Sequence, residues 1–183
     1  MGQRYPEIPD KLRAFIDNQK IFFVGTATTE SRVNISPKGM DSLHVLDANR
    51  VVWLNVTGSG NETSAHVQEN SRMTLMFVAF EGNPMILRLY GNAKVIHQND
   101  SEWLELFPLF PPLPGARQIF DVTIDLVQTS CGMGVPLFDY VEDREQLNQW
   151  AMNKGENGLK QYWTAKNQVS LDGQPTYILE KNT

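Results

Sequence analysis

A chain of 183 residues, 41% of them apolar and 20% charged, can bury a core without metal or disulfide staples, which excludes general disorder. Sixteen basic against 21 acidic residues leave a net charge of −5 with no long run of either sign, a balance that disfavours nucleic acid as a partner. A single cysteine permits neither an intramolecular disulfide nor a cysteine-rich metal site, and no signal-peptide core or membrane-length apolar run is seen, so the expectation is a cytoplasmic soluble protein with no membrane part.

Pro9-Asp10 opens a stretch in which Leu12, Phe15 and Ile16 recur at helical spacing, and Asn18-Gln19 closes it. Strand patterns follow in quick succession. Ile21 to Thr26 is apolar, β-branched and aromatic; Arg32 to Ser36 alternates strictly; Val51 to Thr57 is a third candidate. Met73 to Phe80 and Met85 to His97 flank Glu81-Gly82-Asn83-Pro84, a hairpin turn by composition. In the longer strand Leu87, Leu89, Gly91, Ala93 and Val95 share one face. Arg88, Tyr90, Asn92 and Lys94 share the other, so one face is buried and one is free for work. Phe120 to Gln128 alternates again, with Phe120, Val122, Ile124 and Leu126 on one side.

Helices are fewer. One is predicted from Ser59-Gly60-Asn61-Glu62 to Asn70 and another from Asn99 to Leu106, followed by a proline-rich packed loop from Phe107 to Gly115. Glu142 to Asn153 and Gly158 to Asn167 form two more, with Trp150 and Trp163 as packing anchors. No internal repeat is present. Six or so closely spaced antiparallel strands with peripheral helices predict a mainly β protein: a six-stranded antiparallel barrel in a single domain, 1–183. The core spans about 10–130, and 131–183 is a C-terminal loop with helices covering the barrel or a subunit interface. Trp53 is expected to face into the barrel or its seam.

Two segments carry chemistry. In Arg32-Val-Asn-Ile-Ser-Pro-Lys-Gly39, Val33 and Ile35 are expected to point into the barrel, leaving Arg32, Asn34 and Ser36 in a row outside it, with Lys38 beyond. A guanidinium fork, an amide, a hydroxyl and an ammonium suit a planar, hydrogen-bonding ligand with a phosphate tail; a solvated strand face is the plainer reading. In Asn55-Val-Thr-Gly-Ser-Gly-Asn-Glu-Thr63 a strand passes through a glycine-rich turn into a helix, and Ser59 and Glu62 have capping-box spacing. Free N–H groups and a positive dipole end make such a turn an anion site, with Ser59, Asn61 and Thr63 as added donors; a merely capped helix is again the plainer alternative. On adjacent strands the two segments would form one phosphate pocket.

The order of these segments, followed by Asn70-Ser-Arg-Met-Thr-Leu-Met-Phe77 and Leu87-Arg-Leu-Tyr-Gly-Asn-Ala93, resembles the pyridoxamine 5′-phosphate oxidase-like family of FMN-binding split β-barrels over residues 10–130. The resemblance implies a homodimer with FMN at the subunit interface. By position, Arg32, Asn34, Ser36 and Lys38 line the flavin and its phosphate, and Asn55 approaches from the neighbouring strand. Ser59, Gly60, Asn61 and Thr63 hold the phosphate, and Arg88 reaches the ribityl chain or ring. No metal is expected.

Two departures set the chain apart from the true oxidase. An arginine–lysine pair follows the turn serine there, where this chain has Gly60-Asn61, and the arginine-bearing C-terminal segment that grips pyridoxal phosphate has no counterpart. The expected function is therefore an FMN-dependent oxidoreductase of the family acting on an unassigned small molecule. A flavin- or haem-binding protein without turnover and a deazaflavin-dependent reductase are the alternatives. His44, His66 and His97 fall at no metal-ligand spacing; His97 draws interest only because some split barrels bind haem, for which an axial imidazole is a common ligand. Cys131 is either structural or, beside a flavin, redox-active.

Overall fold

The structure, a computed structural model, describes residues 2–183. Eight strands form one antiparallel sheet: β1 (Arg4–Tyr5), β2 (Phe22–Thr26), β3 (Asn34–Lys38), β4 (Leu43–Asp47), β5 (Arg50–Val56), β6 (Arg72–Val78), β7 (Ile86–His97) and β8 (Ala116–Ser130). Their order is β3-β2-β6-β7-β8-β5-β4, and β1 pairs with β8. The expected six strands are thus exceeded. β1 is too short for a periodic signal, and Leu43-His-Val-Leu-Asp47 in β4 does not alternate.

The sequence neighbours β3 and β4 lie at opposite ends of this order, yet only Gly39–Ser42 separate them. Five Cα steps reach at most about 18 Å. The sheet therefore curls until its two edges approach, closed by the chain but not by a ladder. Met40 and Asp41, both at positive φ (65° and 51°), turn the link. A slot is left between the edges.

Inside the curl lie Phe22, Val24, Trp53, Leu75, Phe77, Leu87, Leu89, Phe120 and Val122, capped by Leu12 and Ile16 of α1 (Asp10–Asp17). Trp53 stacks on Phe120 with centroids 4.4 Å apart. Burial of each large apolar side chain contributes about 1.5–3 kcal/mol. A bulge interrupts the β7–β8 ladder: Tyr90 faces Leu126 and Gly91 faces Ile124, leaving Asp125 unpaired. Past it the alternation shifts, so the fully buried Val127 takes the inner place expected for Leu126.

The largest correction concerns β3. Phe22, Val24 and Thr26 of β2 stand opposite Lys38, Ser36 and Asn34, so the polar row shares the inner face of the sheet. Val33 and Ile35 point out, 71% and 68% exposed. The strand alternates as expected, but in the opposite sense: β3 is an edge strand whose inner face looks onto the slot, not onto apolar core. Pro37, exposed, sits within this edge strand.

The other helices are α2 (Glu62–Glu69), α3 (Trp103–Leu106), α4 (Gln146–Lys166) and α5 (Ile178–Asn182). The helix expected from Asn99 shrinks to α3 and a 3-10 turn, Phe107–Leu109. The two expected late helices run together as α4, kinked at Gly155, whose φ of 62° no β-branched residue would accept. Trp163 and Ala151 of α4 pack on Ile178 of α5, with Trp150 at the margin. No described helix is long and apolar enough to cross a membrane.

Candidate functional site

A cavity of about 460 Å³ occupies the slot. Eight of the ten residues singled out from the sequence line it: Asn34, Ser36 and Lys38 from β3, Asn55 from β5, and Ser59, Gly60, Asn61 and Thr63 from the turn and α2. The two segments converge because the edges of the sheet approach each other across the curl. The hydroxyl of Ser36 donates to Asn34 Oδ1 at 3.3 Å, and Asn34 Nδ2 donates to Thr63 Oγ1 at 3.3 Å, tying the strand to the first turn of α2.

The remaining two stand elsewhere. Arg32 is exposed and ion-paired to Asp172 on the C-terminal segment, and its backbone N–H also donates to that carboxylate at 2.9 Å. Arg88 belongs to the outer face of β7, where its Nη1 donates to Ser130 Oγ at 3.0 Å. The capping box does not form. Asn61 is the N-cap and makes no side-chain cap bond, while the Glu62 carboxylate accepts the Leu171 N–H at 3.0 Å.

Sequence reading missed Arg117. It is the second residue of β8, is 3% exposed, and lines the cavity. Its Nη2 donates to Gly60 O at 2.7 Å, but Nε and Nη1 are buried without a partner. The available signal was a polar pair of positions, Arg117-Gln118, just ahead of the alternating run that begins at Phe120. Lys38 reaches the same cavity, 5.3 Å from the Trp53 ring centroid and 3.4 Å from Asn55 Oδ1. Neither cation has a carboxylate partner among the described residues.

Electrostatics follows from that arrangement. Burial, then the charge of Arg117, lowers the Lys38 pKa from 10.5 to about 8. Burial carries the Arg117 pKa down to about 9, so both remain charged at neutral pH. Two desolvated cations without an anion each cost several kcal/mol. Beside them, no backbone N–H from Gly58 to Ser64 has an acceptor among the described residues. Cations and free N–H groups converging on one cavity are the chemistry of an anion seat.

Behind the cavity a buried relay runs inward. Asn55 Nδ2 donates to Gln118 Oε1 at 3.1 Å, and Gln118 Nε2 donates to Ser64 Oγ at 3.0 Å and lies 3.3 Å from His97 Nε2. Desolvation holds the His97 pKa down at about 4, so the ring is neutral and accepts from Gln118. His66 is also fully buried, bonded to Thr26, and His44 packs against Phe110. No histidine lines the cavity, and no cluster of metal-ligating groups occurs among the described residues. Cys131 is exposed.

Residues 8–131 match the family described as pyridoxamine 5′-phosphate oxidase. A curated relative, the pyridoxamine 5′-phosphate oxidase family protein ustO of Aspergillus flavus, is 36% identical over 191 residues, covering 93% of this chain and 76% of the relative. Among solved structures, a variant of HupZ from Group A Streptococcus superimposes with a TM-score of 0.57 at 17% identity, covering 67% of this chain and 99% of that one. HutZ, the haem storage protein of Vibrio cholerae, gives 0.50 at 12% identity, with 69% and 97% covered. At such identities the structural likeness is one of fold.

Proposed function

Because the chain belongs to the pyridoxamine 5′-phosphate oxidase family, we propose that the slot binds FMN and that the protein is a flavin-dependent oxidoreductase acting on a small molecule. The observation that carries this reading is the pairing of two cations without a carboxylate partner, the half-buried Lys38 and the buried Arg117, with the unbonded N–H groups of the Gly58–Ser64 turn. Such a seat fits the dianionic phosphate of FMN. Asn34, Ser36 and Asn55 offer the amides and hydroxyl that a flavin's polar edge requires. When bound, FMN supplies reversible two-electron chemistry, and the chain's residues place it, shield it and choose the substrate.

The true oxidase's turn arginine and lysine are replaced by Gly60-Asn61, and Arg117 restores a charge to the same turn from the next strand. A homodimer is part of this reading. Val33 and Ile35 are exposed on the outer face, which also carries Phe23, Met76 and Arg88, and a two-fold partner would cover that face. A haem-storage role like that of HutZ draws less support, since no imidazole or thiolate lines the cavity. A cytoplasmic location fits this chemistry.

The visible spectrum of purified protein and FMN titration of the apo form test the proposal. A flavin doublet with one FMN per chain, bleached by an electron donor under anaerobic conditions, is expected. A Soret band, or no binding of FMN, overturns it.

A further inference from the structure

Resting on the reading of the slot as an FMN site, we infer that Asn167, which lies beyond the family-matched stretch, is a positioning residue: it holds the peptides of the Gly58–Asn61 turn so that their N–H groups face the anion seat.

Every carbonyl of that turn is engaged by protein. Asn167 Nδ2 donates to Gly58 O at 3.1 Å and Ser59 O at 3.5 Å, Arg117 Nη2 takes Gly60 O, and the Ala65 N–H takes Asn61 O at 3.2 Å. The N–H groups of the same peptides are left unbonded. A turn with glycines at 58 and 60 has little steric resistance to peptide flips, and a flipped peptide would present an oxygen to phosphate. Anchoring the carbonyls removes that alternative. At Gly58 and Ser59, Asn167 does so without adding charge.

Asn167 is itself immobilised. It is fully buried at the end of α4; its N–H donates to Trp163 O at 2.9 Å, and its carbonyl accepts from Thr176 Oγ1 at 2.6 Å and Asn61 Nδ2 at 3.3 Å. The Trp163 indole donates to Thr57 Oγ1 at 2.8 Å, pinning α4 to the strand end that leads into the turn. Rotating the Asn167 amide would set its oxygen against two carbonyl oxygens, so its donor orientation is determined.

A residue that orients N–H groups toward phosphate should matter for FMN and not for riboflavin, which lacks the phosphate. Apo-protein and its Asn167→Ala variant are titrated with both ligands by flavin fluorescence, with inorganic phosphate as competitor. The expected result is a loss of about five- to tenfold in FMN affinity, weaker competition by phosphate, and unchanged riboflavin affinity. An unchanged FMN-to-riboflavin ratio, or equal loss of both ligands, overturns the inference while leaving the flavin site standing. A wild-type protein that binds both ligands equally overturns the phosphate seat and the inference together. Should Asn167→Ala fail to fold, Thr176→Val, which deletes the hydroxyl donor to Asn167 and keeps the shape, is read by the same ratio.

Discussion

Ser36 stands directly opposite Val24 across the β2–β3 ladder, and Val24 is fully buried. The polar row is therefore a continuation of the core face into the slot. Ile35→Ala, at a 68% exposed position, should change the monomer's stability by no more than about 0.5 kcal/mol, whereas Leu75→Ala in the core should cost about 2–5 kcal/mol. Ser36→Val should keep the fold and weaken FMN. Urea melts of the apo variants, diluted until monomeric, beside flavin titrations check all three; a large loss at Ile35 in the monomer would mean that β3 is paired one residue out of register.

Lys38 should make the proposed FMN binding pH-dependent. Its pKa in the folded apo-protein is about 8, below the 10.5 of the unfolded chain, so the fold favours the neutral amine. Apo stability should thus rise as pH climbs from about 8 to 10.5, while affinity for dianionic phosphate falls over the same window, by up to about tenfold per pH unit. Titrations at pH 7, 8, 9 and 10 test this. Lys38→Met should lower the affinity and remove the fall that begins near pH 8, leaving only what Arg117 contributes above about 9.

Arg117→Met separates binding from stability. Removing an unpaired buried charge should leave the apo-protein as stable or more so, because the desolvation cost disappears. Loss of a charged hydrogen bond of about 1.5–3 kcal/mol should weaken FMN roughly 10- to 150-fold. A lower apo melting temperature with intact flavin binding would place Arg117 in the scaffold instead.

Gly91 faces the β7–β8 bulge, where an added Cβ would meet Thr123 O at 2.1 Å. Gly91→Ala must push two core strands apart and should cost at least about 2 kcal/mol. Chemical denaturation measures it; Gly134→Ala, with nothing within 4 Å of its Cβ, is the control and should stay within about 0.5 kcal/mol.

Much of this was legible beforehand, for reasons particular residues make clear. Leu87 through Val95 alternate in sequence and in burial, and the polar strand and glycine turn could be paired because each alone suggested phosphate. What stayed hidden depends on chain sections that meet only after folding. The direction of Val33 and Ile35 is set by pairing with β2, and β3's status as an edge is not a local property. Arg117 drew no notice, lying just ahead of the expected Phe120–Gln128 strand, because its partners, Gly60 and Lys38, are more than fifty residues away. Asn167 reads as an ordinary helix end until α4 docks against the turn.

Pro37 gives the edge strand a further property. β3 and the residue before it expose outward-pointing Ile35 and Val33 beside an unpaired ladder edge, the arrangement that recruits foreign strands into aggregates. A residue without an N–H within a five-residue strand breaks any ladder that would extend there. The same short segment therefore keeps a polar face open for a ligand and closes its backbone to strand addition, so the protein can carry an open slot at high concentration without the slot's rim becoming a template.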